Sequence, residues 1–314
     1  MDEFCSVVIP GRQPEDDLIL QYDDTFDGLM TAIFDSYSHK PAPTAIVGLQ
    51  HQQILGAFYT QVETDESKCR RVTDGILREM GAPCGERVWT AFMSTHPDKG
   101  NIIYRFVRLG MKIGRTIVHH LTNDIVLTMN DIVGKVEKEA LYQRQFTRFS
   151  RIATPTAAGR ETGVYYARIS PANDIMALVM PFFADRFHVQ PFIIHDTTRE
   201  IAGVYDTNEW YIADAGDIKL PEGGEAGDEF AYSGLWKRFY DSVAIKERIN
   251  HKLRRQHMPK AFWKNMTEMN RLGTAPTIAL PSDISRAAVE HSLLAEANGN
   301  VSTAVNAPIL YVKN

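Results

Sequence analysis

Hydrophobic periodicity predicts an α+β fold, with a mostly helical N-terminal half followed by a small mixed β-sheet and packed helices. Three observations point there. Apolar residues recur at helical spacing across the stretches 26–37, 69–93, 101–120 and 123–149. After Ile152 the pattern changes to short β-rich runs at 164–169, 191–195, 201–205 and 210–212. A chain of 314 residues with 44% hydrophobic content can bury a sizeable core without disulfides or metals.

Residues 1–17 are polar, contain Pro10, Gly11 and Pro14, and read as an irregular N-terminus. A mostly helical subdomain follows over 18–152. Leu18–Tyr22 is its opening strand. Phe26, Leu29, Met30, Ile33, Phe34 and Tyr37 then mark an amphipathic helix, with Asp23 or Asp24 as its cap. Lys40-Pro-Ala-Pro43 is a loop. Residues 69–93 read as helical with a break at Gly81-Ala-Pro83, and two further helices are predicted over Asn101–His120 and Asn123–Phe149. An α+β subdomain containing a basic-aromatic helix is predicted over 153–272. It opens on the turn-rich connector Thr154–Gly163, followed by a strand at Val164–Ile169 and a helix over Pro171–Phe187. Pro191–His195 and Ile201–Tyr205 flank Asp196-Thr-Thr-Arg-Glu200 and predict a hairpin, with Trp210–Ile212 as a further strand. Residues 214–229 form an acidic, Gly-rich loop. The stretch 273–314 is a low-complexity C-terminal extension with a short helix across Ile284–Ala297.

Charge is distributed unevenly. The chain has a formal net charge of −5, yet Trp236–Lys264 is strongly basic and interleaves its cations with Trp236, Phe239, Tyr240, Phe262 and Trp263. Cations neutralise phosphates and aromatic faces stack on bases, so DNA is the expected partner. Placed on one helix over Leu235–Arg255, Lys237, Arg248, Lys252 and Arg255 share a face, with Phe239, Val243, Ile249 and Leu253 opposite to pack on the core. Lys246 and Asn250 project to the apolar side, so either the helix bends near Asn250 or the two line an internal polar site. Arg105, Arg108, Lys112 and Arg115 form a second basic stripe, and Arg144, Arg148 and Arg151 a third. The expected DNA contacts are Arg105, Arg108, Lys112, Arg148, Trp236, Lys237, Arg238, Lys246, Arg248, Asn250, Lys252, Arg254, Arg255, Lys260 and Trp263. A solvated basic face on a surface helix is the competing reading.

His195-Asp196 follows the apolar run Phe-Ile-Ile, and a strand-terminal His-Asp pair suits acid–base or metal work. His195, Asp196 and Asp206 are the catalytic candidates for a DNA-processing hydrolase, a nuclease or a glycosylase-like enzyme. His188 and Glu209 lie nearby in sequence, and a turn-forming role competes for all of them. The chain contains no phosphate loop, no Gly-x-Gly-x-x-Gly fingerprint, no Gly-x-Ser-x-Gly elbow and no Cys/His zinc pattern. No cofactor and no metal are therefore expected. Cys5, Cys69 and Cys84 lack metal-type spacing and read as reduced thiols, which with the absence of a signal peptide predicts a cytoplasmic protein. The longest apolar run, Ile175–Phe183, falls far short of the ~20 residues of a membrane span.

The ordered landmarks Tyr22-Asp-Asp-Thr-Phe-Asp-Gly-Leu29, Tyr104-Arg-Phe-Val-Arg-Leu-Gly110, Phe146-Thr-Arg-Phe149, Phe183-Ala-Asp-Arg-Phe187, Ile194-His-Asp196, Trp236-Lys-Arg-Phe-Tyr240 and Arg254-Arg-Gln-His-Met-Pro-Lys260 carry a resemblance. Together they resemble a bacterial family of DNA metabolism or DNA repair proteins built on a domain of unknown function. The resemblance runs from about Tyr22 to Leu272. It implies an accessory role on DNA in the cytoplasm. It also implies a setting in which the same domain is fused to a uracil-DNA-glycosylase-like domain or encoded beside a radical SAM DNA-repair protein. It supplies a process and no reaction. His251 and Ala261-Phe262-Trp263 depart from the usual family pattern, and the latter removes one cation. A protein-interaction module serving a repair enzyme is the further alternative.

Overall fold

The computed structural model describes residues 18–51, 57–155, 161–217, 227–243, 248 and 250–269. The expected irregular N-terminus, the C-terminal extension with its helix at Ile284–Ala297, most of the acidic loop, Lys246 and Ile249 lie outside these residues. The chain is mixed α and β, with two sheets among the described residues, and divides into two compact units between Glu137 and Lys138.

The first unit is built on a three-stranded parallel sheet. Its strands are β1 (Leu18–Tyr22), β2 (Ala45–Gly48) and β3 (Phe58–Gln61), in the order β2-β1-β3. Periodicity finds β1 alone. β2 is a largely buried apolar run without alternation, β3 is a half-exposed edge strand, and each has only four residues. Helix α1 (Phe26–Asp35) follows β1. Its cap is Thr25, whose hydroxyl accepts from the Gly28 N–H at 2.9 Å. Asp23, expected to cap, instead accepts from the Thr25 N–H and hydroxyl and so fixes the cap itself.

Helix α2 (Glu66–Gly75) runs into a π-helical turn at Ile76–Met80, which ends at Gly81 with φ of 87°. Helix α3 (Ala82–Phe92) restarts with Pro83 in its first turn, where a missing N–H costs nothing. Helix α4 (Lys99–Ile113) stops at Gly114, φ 81°, and a 3₁₀ turn covers Arg115–His119, so the helix expected to His120 ends earlier. Helix α5 (Asp124–Phe146) begins in this unit and is the longest among the described residues. Leu20, Tyr22, Leu29, Ile33, Ile46, Ile103, Phe106 and Met129 are buried together in this unit's core.

The second unit holds a five-stranded sheet, ordered β4 (Phe149–Pro155), β5 (Glu161–Ile169), β6 (Phe192–Asp196), β7 (Ile201–Tyr205) and β8 (Trp210–Asp214). β5 and β6 are parallel and the other pairs antiparallel, which gives the mixed sheet the sequence predicts. The expected hairpin is β6–β7. The expected connector proves narrower, because Phe149–Pro155 extends as β4 and pairs with β5. Helix α6 (Met176–Phe187) crosses between β5 and β6 and starts five residues later than expected. One sheet face packs on it through Phe149, Phe183, Phe187 and Phe192, whose ring centroids lie 4.6–6.4 Å apart. Gly203 admits this approach: a Cβ there would stand 2.3 Å from the Met180 sulfur. The opposite face buries Ile152, Tyr166, Ile193 and Ala202.

The helix expected over Leu235–Arg255 is two helices. Among the described residues, α7 covers Gly227–Val243, α8 His251–His257 and α9 Lys260–Trp263. Asn250 is extended, and its side chain accepts from the N–H groups of Lys252 and Leu253 at 3.1 and 3.0 Å. The bend at Asn250 is thus a helix cap, which settles the alternatives the sequence leaves for this residue.

Candidate nucleic-acid interface

The basic-aromatic segment is organised from its far end. Phe262 on α9 meets Tyr142 edge-on at 5.6 Å and Phe146 at 5.5 Å, both on α5. Met266 is buried just beyond. Trp263 donates its indole N–H to the Met258 carbonyl at 3.0 Å, and the Arg254 guanidinium and Lys260 ammonium lie 5.0 and 5.9 Å from its ring centre. These are cation–π distances. Two of the aromatic residues are therefore committed to holding the segment together.

Glu268 is the second organiser. Its carboxylate is 4% exposed and accepts from Arg148 Nε and Nη2 at 3.3 and 2.6 Å. It also accepts from the Trp236 indole N–H at 3.3 Å. Burial opposes its ionisation, but the Arg148 hydrogen bonds and charge hold the carboxyl below its usual range. Arg148 is consequently neutralised, and Trp236 is fixed by its nitrogen edge.

The remaining expected contacts differ in freedom. Arg238, Arg248, Lys252, Arg255 and Lys260 are exposed, while Lys237 and Arg254 are half-buried. Arg255 Nε donates to the His251 carbonyl at 3.1 Å within α8. Phe239, Val243 and Leu253, expected to pack on the core, are instead exposed, Phe239 at 56%. The continuous helix that put them on a buried face does not form, so the argument from its periodicity fails. In the first unit, Arg105 and Lys112 are exposed on α4. Arg108 bonds the Tyr104 hydroxyl at 2.9 Å and lies over the Tyr37 ring at 5.1 Å. Of the third stripe, Arg144 donates to the Leu178 carbonyl at 2.7 Å.

The catalytic candidates do not converge. His195 and Asp196 are successive strand residues, so their side chains leave opposite faces. Asp196 is fully buried. It accepts from the Thr198 N–H at 2.8 Å and from Arg199 Nη1 at 3.0 Å, and Arg199 in turn reaches the Pro171 carbonyl at 3.3 Å. Asp206 accepts from the N–H groups of Asn208 and Glu209 in the β7–β8 turn. His195 alone joins a polar chain. Arg168 Nε donates to the Tyr166 hydroxyl at 3.4 Å, and that hydroxyl meets His195 Nδ1 at 2.8 Å. His195 Nε2 then lies 3.4 Å from Glu200. Where the Tyr166 hydroxyl donates to Nδ1, Nε2 carries the imidazole hydrogen and donates it toward Glu200. Among the described residues no group of three or more His, Cys, Asp or Glu can hold a metal ion, and no helix is long and apolar enough to cross a membrane.

Sequence reading missed Glu268, Glu200 and Arg168 as site residues. Glu268 lies 120 residues from Arg148, so no local pattern links them. Arg168 pairs with His195 in the β5–β6 register, which becomes visible only with the strand order.

A family model described as a domain of unknown function, DUF4130, matches residues 97–268, more than half of the chain. The matched segment ends on Glu268. No curated protein and no solved structure matches the chain.

Proposed function

This chain belongs to the DUF4130 family, and we propose that it is a DNA-binding accessory protein of DNA repair or metabolism. One observation carries the reading. In a chain of net charge −5, Arg238, Arg248, Lys252, Arg255 and Lys260 stand exposed in one short segment that also exposes Trp236 and Phe239. Clustered cations bind a polyanion by releasing its counterions, and exposed rings give bases a surface to contact. The protein holds the phosphates and presents the strand to a partner enzyme. The family resemblance extends the proposal to a radical SAM DNA-repair protein as that partner, to uracil-DNA-glycosylase-associated repair, and to the cytoplasm.

Replacing Arg248, Lys252 and Arg255 together by Ser removes three exposed cations and no buried contact. The variant is expected to keep its circular dichroism and to bind DNA at least about tenfold more weakly at physiological salt. Unchanged affinity contradicts the reading.

A hydrolytic reading has one observation in its favour, the Arg168–Tyr166–His195–Glu200 chain, in which His195 Nε2 is the atom placed to move a proton. Lesion-bearing oligonucleotides with divalent metals decide it. Cleavage abolished by His195→Ala supports the reading. Cleavage that survives the substitution, or none by the parent protein, removes it.

A further inference from the structure

Helix α7 turns an apolar stripe to solvent. Leu235, Trp236, Phe239 and Val243 are each 43–57% exposed. At 3.6 residues per turn they fall within about 100° of one another and run roughly 12 Å along the helix. A surface helix ordinarily turns such a stripe inward, and an outward one marks a place where something docks.

The chemistry of the stripe selects the occupant. Its centre is an aromatic pair, Trp236 and Phe239, with ring centroids 5.8 Å apart and planes 31° from parallel. Trp236 is held by its hydrogen bond to Glu268, and Glu268 is held by Arg148, so the indole plane is set before a ligand arrives. Arg238 borders the stripe on α7, and Arg248 follows Val243 by five residues; both are exposed. A pre-oriented pair of rings with Arg238 beside it on the helix, and Arg248 close by in sequence, complements flat apolar faces joined by anions. Trp263, the other tryptophan of the basic segment, is engaged by Arg254, Lys260 and the Met258 carbonyl.

We infer that the outward stripe of α7 is a platform for single-stranded nucleic acid, with unpaired bases on Trp236 and Phe239 and flanking phosphates on Arg238 and Arg248. The inference rests on the DNA-binding reading above and narrows it to the unpaired strand. In a duplex both faces of each internal base are covered by its neighbours, so protein rings reach only bases that have left the stack. A stripe roughly 12 Å long accommodates about two or three of them.

The test uses the full chain with a labelled oligo(dT) and with the matching oligo(dA)·oligo(dT) duplex. The single strand is expected to bind at least about tenfold more tightly than the duplex. Phe239→Leu keeps an apolar side chain at an exposed position, so the fold is retained. It is expected to weaken single-strand binding about tenfold while leaving duplex binding within about twofold. Oligo(dT) should quench tryptophan fluorescence in the parent, and Trp236→Phe should lose most of that quenching. Equal affinity for both oligonucleotides, or an equal effect of Phe239→Leu on both, overturns the platform and leaves DNA binding standing. Failure to bind either oligonucleotide overturns both readings together. A dimer in sedimentation that Phe239→Lys disperses, with no oligonucleotide bound, assigns the stripe to a second copy of the chain and overturns the inference.

Discussion

Glu268 accepts hydrogen bonds from Arg148 and from Trp236, and it is the only one of the three that is nearly out of contact with water. Its carboxyl is held below the ordinary range, so the linkage has a definite sign. Its contribution to stability is present above the unfolded carboxyl pKa, about 4.3, and is lost as the pH falls through the lowered folded value. Acidification below about pH 4 should therefore free the Trp236 indole and shift its fluorescence. Glu268→Gln should abolish that step and cost about 1–3 kcal/mol in urea unfolding at neutral pH. A fluorescence shift that survives the substitution assigns the acid step to another group. Cys69 offers a second residue-scale check. Burial, reinforced by the Asp27 carboxylate 3.2 Å away, pushes its thiol up to about 12, and burial raises Cys84 as well. Between the ordinary thiol pKa of about 8.5 and the raised value, the unfolded chain loses the proton first, so stability falls as pH rises through that window. In a Cys5→Ser variant, a thiol reagent at about pH 8 should label Cys69 and Cys84 slowly until denaturant is added. Fast labelling of the native protein contradicts the burial. Cys69 was legible in the sequence as a reduced thiol, whereas its pairing with Asp27, 42 residues away, was not.

At the scale of elements, local chemistry explains both what was legible and what was missed. β1, the β6–β7 hairpin and β8 were readable because short apolar runs are bounded by turn residues. β2 and β3 were not, since a strand of four residues in a parallel sheet carries no period. The basic segment misled for a different reason. Helical spacing continues numerically from Leu235 to Arg255, but Asn250 is extended and caps a new helix, α8. A period read across a break assigns faces that do not exist, and this is why Phe239 and Val243 were expected inside. The cap itself can be measured. Asn250→Ala should cost α8 about 1 kcal/mol. The loss should be read in faster hydrogen exchange at the Lys252 and Leu253 amides, the two that bond the Asn250 side chain. Unchanged exchange at both amides denies the cap.

For the whole molecule, the family match and the fold leave the charge distribution as the main pointer to function. A chain with a net charge of −5 repels a polyanion at long range, so any binding must come from a local excess of cations. That excess was visible in the composition of Trp236–Lys264, but the sequence could not show which of its cations stay free. The structure divides them. Arg254 is half-buried over Trp263, whereas Arg238, Arg248, Lys252, Arg255 and Lys260 are exposed, Lys260 also lying 5.9 Å from the centre of that ring; outside the segment, Arg148 is neutralised by Glu268. In the proposed function these exposed cations hold nucleic-acid phosphates. The most direct test is the affinity of the protein for oligo(dT) measured across a range of salt concentrations. Each phosphate neutralised on a single strand contributes about −0.7 to the slope of log K against log salt, so engagement of the exposed set predicts a slope of roughly −2 to −3.5. Tight binding that ignores salt, or no binding at low salt, contradicts the account.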